Sequence, residues 1–155
     1  VTAMHLPTYL TMLAAAERTL AASHLRVAGG HTDEPDVRYT CTGFAAQSTR
    51  NADALDPIAE RYAGRRQAEP DRLHPRGLTA VRPGPVGLLR DLQDLYQLAG
   101  LVEITWTLVG QAAAGARDRE LIGVAGASGP RIGAQLAWLR MRMKAAAPQT
   151  LLVAP

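Results

Sequence analysis

The chain has 155 residues, of which 47% are hydrophobic, 5% aromatic and 20% charged, with a formal net charge of +3. This apolar content and weak net charge exclude intrinsic disorder. A single cysteine, Cys41, excludes a disulfide scaffold and points to a reducing compartment or to indifference to redox. At this length one domain spanning residues 1–155 is expected. The basic residues are 16 Arg and one Lys (Lys144), and 28 Ala with 20 Leu make up nearly a third of the chain. Ala and Leu are strong helix formers and β-branched residues are scattered, so the composition predicts an all-α fold. An Ala- and Arg-rich, Lys-poor usage resembles that of a GC-rich bacterial gene, which concerns codons rather than mechanism. No basic region followed by an apolar run opens the chain, so no secretory leader is read and the expected location is cytoplasmic.

Four helices can be placed in order. The first is expected over about 7–27, with Pro7 in its first turn and Gly29-Gly30 as its stop. The second is expected over 36–62, with a kink or restart at Asp56-Pro57 and Asp56 as a cap. Residues 64–84 follow, with three Pro and five Arg (Arg65, Arg66, Arg72, Arg76, Arg82) and no helical period. Extended, this segment outreaches the roughly 40 Å of a 27-residue helix, so it can run the full length of a bundle.

The third helix is predicted over 86–114, after Pro83-Gly84-Pro85. Its stretch Leu98 to Ala116 carries a single charge, Glu103, and reads as a helix buried in a bundle rather than a membrane span. The fourth is predicted over 118–146, bent at Ser128-Gly129-Pro130 and ending before Pro148, with Thr150 to Pro155 as an apolar strap. Connections that run short, long, short are those of a four-helix bundle with one crossover, between helices two and three.

Polar residues interrupt the apolar seams. Helix one carries Leu6, Leu10, Leu13, Glu17, Leu20, His24 and Val27 at alternating spacings of four and three, which directs a carboxylate and an imidazole inward. Helix three offers Glu103 in apolar surroundings, helix two offers Gln47, Ser48, Arg50 and Asn51, and helix four offers Gln135. The expected result is a buried polar network of Glu17, His24, Arg50, Glu103 and Gln135, with the planar fork of Arg50 bridging the two carboxylates.

A bundle with a long second connection and inward carboxylates resembles the ferritin-like superfamily. The chain also resembles bacterial ferritin-like proteins over nearly its whole length. That likeness is carried by His31-Thr32-Asp33-Glu34-Pro35-Asp36-Val37, by Gly87-Leu88-Leu89-Arg90-Asp91-Leu92, and by Ala137-Trp138-Leu139-Arg140-Met141-Arg142-Met143-Lys144. Di-iron centres of that superfamily take a Glu from each of two helices and a Glu-x-x-His from each of the other two. Glu17 and Glu103 match the lone carboxylates, but the second helix reads Gln47-Ser48-Thr49-Arg50, and Trp138 stands where the fourth helix would place its His. The resemblance therefore implies a degenerate metal motif in which Glu17, His24 and Glu103 are the remaining ligands, for iron or manganese.

The remaining features have plainer readings. The Arg-rich crossover lacks interleaved aromatics, so no nucleic-acid partner is expected, and no membrane partner either. Cys41 reads as a small core residue, and Trp106, Trp138 and Tyr96 as core or interface anchors. Gly123, Gly126 and Gly129, three apart on a helix, read as a face for close packing or dimerisation. The function expected is that of a non-catalytic, self-associating structural or binding module without a cofactor. The rivals are a metal-binding ferritin-like protein or oxidoreductase with a degenerate site, and a small-molecule binder with its pocket between the helices.

Overall fold

A computed structural model describes residues 4–65, 68 and 73–153. It contains helices α1 (Leu6–Gly30), α2 (Pro35–Tyr62), α3 (Gly84–Ala116) and α4 (Arg119–Leu152), with one 3-10 turn, Ala63–Arg65, after α2. Proline sits in the first two positions of α1, α2 and α3, where a missing N–H breaks no intrahelical bond. α4 starts differently: the Asp118 carboxylate accepts the Leu121 N–H at 3.1 Å and caps the helix.

The helices run past several of their expected breaks. Gly29 and Gly30 lie inside α1, and α3 continues through Gly115 to Ala116, so its left-handed cap falls on Arg117 (φ 55°). Pro57 stays within α2, and both Pro130 and Pro148 stay within α4, which extends to Leu152 where a strap was expected. All three prolines are exposed, and so are Asp53, Gly126 and Lys144, whose carbonyls each proline deprives of a partner. Water can solvate those carbonyls, which lowers the cost of a proline inside a helix. Arg18 pins the turn of α2 just before Pro57 to α1 by pairing with Asp53 (3.1 Å) and Asp56 (2.6 Å). In the expected strap, Leu151 and Leu152 are exposed helical residues, and 154–155 lie outside the described residues.

α1 packs on α2 and α3, and α4 packs on α3 and α2. Every neighbouring pair is antiparallel. Arg18 meets Asp53 and Asp56 between α1 and α2, while Glu17 meets Trp106 and His31 meets Asp91 between α1 and α3. Asp36 meets Arg142 and Ser48 meets Gln135 between α2 and α4. α2 and α3 therefore run parallel on a diagonal, which requires a connection as long as the bundle, and residues 66–83 provide it. This is the one-crossover topology expected from the sequence. The apolar core draws on all four helices, with Leu10, Leu20, Leu55, Ile58, Leu92, Leu95, Ile132 and Leu139 fully buried.

The crossover returns along α1. Leu78 donates its N–H to Ser23 Oγ (3.1 Å), and Arg26 donates to the Thr79 carbonyl (3.2 Å). Gly77 lies so close to Ser23 and Thr19 that a Cβ there would come within 2.6 Å of Ser23 Oγ, so glycine is required at this approach. The strap ends on the Asp91 carboxylate, which has no exposed surface. Asp91 accepts from the Arg82 N–H (3.0 Å) and guanidinium (2.6 Å), and bonds His31 Nε2 at 2.8 Å. One carboxylate thus joins the end of α1, the crossover and the start of α3. Of the predicted Arg cluster, Arg82 is committed to Asp91 and Asp94, Arg65 and Arg76 are exposed, and Arg66 and Arg72 lie outside the described residues.

Replacing Asp91 with Ala would strand the Arg82 N–H and His31 Nε2, and should cost about 3 kcal/mol of stability. Hydrogen exchange should accelerate from Leu78 to Arg82, and unchanged protection there would show that the latch does not hold the crossover.

Candidate functional site

The seam of helix one does face inward, and both of its polar members are fully buried. Glu17 and His24 have 0% exposure, as do Ser48, Asn51 and Gln135 from the helices opposite. The Trp106 indole donates its Nε1–H to Glu17 Oε2 at 2.9 Å, tying α3 to α1. Arg131 donates to Asn51 Oδ1 at 3.0 Å, tying α4 to α2. His24 Nε2 lies 2.9 Å from Gln135 Oε1, and Gln135 Nε2 donates to Ser48 Oγ at 3.2 Å. With a carbonyl oxygen as its partner, His24 carries its proton on Nε2. The His24 ring also meets Phe44 edge-on at 5.4 Å, and Phe44 meets Trp138 in the same way at 5.8 Å. All four helices therefore contribute to one polar core.

The bonds are incomplete. Glu17 Oε1, Asn51 Nδ2 and His24 Nδ1 are buried without a hydrogen-bond partner of normal geometry. Ser48 and Asn51 nevertheless stand close enough to the Glu17 carboxyl to favour its ionised form, as do the Trp106 bond and the charge of Arg131. Burial outweighs all of these and raises the Glu17 pKa to about 7. Burial also lowers the His24 pKa to about 4, against the opposing bond to Gln135, so the imidazole is neutral near neutral pH. The Gln135 amide separates the Ser48 hydroxyl from the imidazole and offers no simple proton relay, so this chain of bonds fixes geometry.

Two expected members stand elsewhere. Arg50 is exposed, because the inward register of α2 runs Phe44, Ser48, Asn51, Leu55 and Ile58, and Arg50 falls between its turns. Arg131 supplies the nearby positive charge in its place. Glu103 is half-buried beside Gly133 in a groove between α3 and α4, while Trp106, one turn further along α3, meets Glu17. Among the described residues, no three His, Cys, Asp or Glu side chains form a group that could hold a metal ion, so Glu17, His24 and Glu103 do not converge as the degenerate motif required. Cys41 is buried, and burial pushes its thiol pKa up to about 12.

Sequence reasoning missed Trp106 as the donor to Glu17, and it missed the Asp91 latch. Arg61 and Tyr62, which meet the cap residue Asp118 at 3.0 Å and 2.7 Å, close the far end of the bundle in a similar way.

No family model, curated protein or solved structure matches the chain. The established description is therefore a four-helix all-α bundle with a buried polar core. Among the described residues, no helix is long and apolar enough to cross a membrane.

The two displaced pKa values act on stability in opposite directions. Glu17 binds its proton more tightly folded than unfolded, so its contribution is full below about pH 4.5 and is lost as pH rises through about 7. His24 binds its proton less tightly when folded, so its contribution is full above about 6.5 and is lost as pH falls toward 4. Glu17→Gln keeps an acceptor for Trp106 and removes the titration. Denaturant melts at pH 5, 6.5 and 8 should show the variant gaining roughly 2–3 kcal/mol on the wild type between the lowest and highest pH. Parallel pH profiles for the two proteins would refute this account of Glu17.

Proposed function

We propose that the chain is a non-catalytic bundle of ferritin-like architecture that acts by self-association, as a structural or binding module. The observation that carries this reading is the contrast between its inside and its outside. The polar side chains of the core are turned to one another and away from solvent: Glu17, Ser48 and Gln135 have no exposed surface, and each bonds a neighbouring helix. On the outside, α3 leaves Leu101, Ile104 and Leu108 at 39%, 51% and 50% exposure. These residues belong to the stretch expected to be buried within the bundle, and one of its faces is instead open. Leucine and isoleucine grouped in this way on a surface mark an interaction site, and a single exposed residue would carry no such meaning.

Light scattering coupled to size-exclusion chromatography should find a dimer or larger closed oligomer at concentrations of about 1 to 100 µM. A monomer of 16.5 kDa throughout that range would overturn the proposal.

A further inference from the structure

The surface of α3 and the adjoining part of α4 differ from the rest of the bundle in charge. From Leu95 to Ala116 the only charged residue is Glu103, and from Leu121 to Pro130 there is none. The outer surfaces of α1 and α2 carry Arg18, Arg26, Arg50, Asp53, Asp56 and Glu60. Depletion of charge around exposed aliphatic residues is the compositional mark of an interface core.

The shape of this face is two-sided. Leu101, Ile104 and Leu108 follow one another at spacings of three and four and stand as a ridge along α3. Beside the ridge, between α3 and α4, runs a groove of about 400 Å³ lined by Thr107, Gly110, Ile122, Ala125, Gly126 and Gly129. Ala125, Gly126 and Gly129 keep its α4 wall low and allow a helix ridge to approach there, while Trp106 and Gln111 add to its α3 wall. Glu103 sits at the groove edge toward Gly133, to one side of the ridge.

We propose that this face is an isologous dimer interface, in which a second copy of the chain lays its α3 ridge into the α3–α4 groove and receives the first copy's ridge in return. The inference rests on the self-association proposed above and names its surface. A ridge and a groove side by side on one face are self-complementary under a two-fold axis. The face bears almost no charge and so offers little to a charged partner, whereas a second copy presents the same uncharged chemistry. The uncharged stretches cover Leu95–Ala116 of α3 and Leu121–Pro130 of α4, about 33 Å and 15 Å of helix at ~1.5 Å per residue, which places the face at the small end of stable interfaces.

Two variants and a control test this in the full chain. Ile104→Arg places a charge on the ridge at a position already half exposed, and should weaken dimerisation at least about tenfold in sedimentation equilibrium. Leu25→Arg, at a position on α1 with 53% exposure, should leave it unchanged. Because Cys41 is buried, Thr107→Cys adds an accessible thiol on the groove, and mild oxidation should give a disulfide-linked dimer, while Thr42→Cys on the outer side of α2 should not. A wild-type dimer that Ile104→Arg leaves intact, or that crosslinks through Thr42→Cys in place of Thr107→Cys, would overturn the assigned face and leave self-association standing. A wild-type monomer would overturn both.

Discussion

The Glu17 carboxyl, fully buried where α1 faces the other helices, is the constraint on which the interior depends. An ionised carboxylate removed from water costs far more than a buried apolar side chain gains. The fold meets that cost by holding the group near its neutral form and surrounding it with the Trp106 indole, Ser48, Asn51 and the charge of Arg131. Those neighbours come from three helices other than its own. Accommodating one side chain therefore constrains the rotation of all four helices about their axes, which an apolar seam alone would leave loosely specified. His24, Gln135 and Ser48 repeat the device two turns along α1.

The ends of the bundle are tied by charge. Asp118 caps α4 and gathers Arg61 and Tyr62 from the end of α2, while Arg142 reaches Glu34 and Asp36 at the start of α2. In each ion pair one partner is about half exposed while the other, Asp118 or Arg142, is mostly covered, so each adds modest stability and helps select the partner helix. Asp91 differs because it is buried. It fastens the crossover to α1 and α3 together, beside the packing of Leu73, Leu78 and Val81 on the core.

No restart at Pro57, break at Pro130 or end before Pro148 occurs, for one shared reason. Pro57, Pro130 and Pro148 all fall on solvent-facing positions, and the carbonyls they leave free belong to exposed residues. A proline on a buried face would have stopped its helix, but which face each one takes is set by tertiary packing. The same holds for Arg50 and Glu103. Both stand beside inward residues in the sequence, and a rotation of less than one turn decides which side chain enters the core. From α3 it is Trp106 that reaches Glu17, and Arg131 brings a positive charge near Glu17 while its own bond goes to Asn51, so it does not bridge two carboxylates as Arg50 was expected to.

The sequence alone determined the all-α class, the four helices, the long connection between the second and third, and the inward placement of Glu17 and His24. These follow from local quantities: composition, hydrophobic spacing and the positions of Pro and Gly. Only the tertiary structure decided who meets whom. Hydrogen bonds such as Trp106 to Glu17, Gln135 to His24 and Asp91 to His31 join residues 60 to 111 positions apart. Periodicity along one helix carries no information about the rotation of its neighbour, and that rotation also left Leu101, Ile104 and Leu108 facing outward.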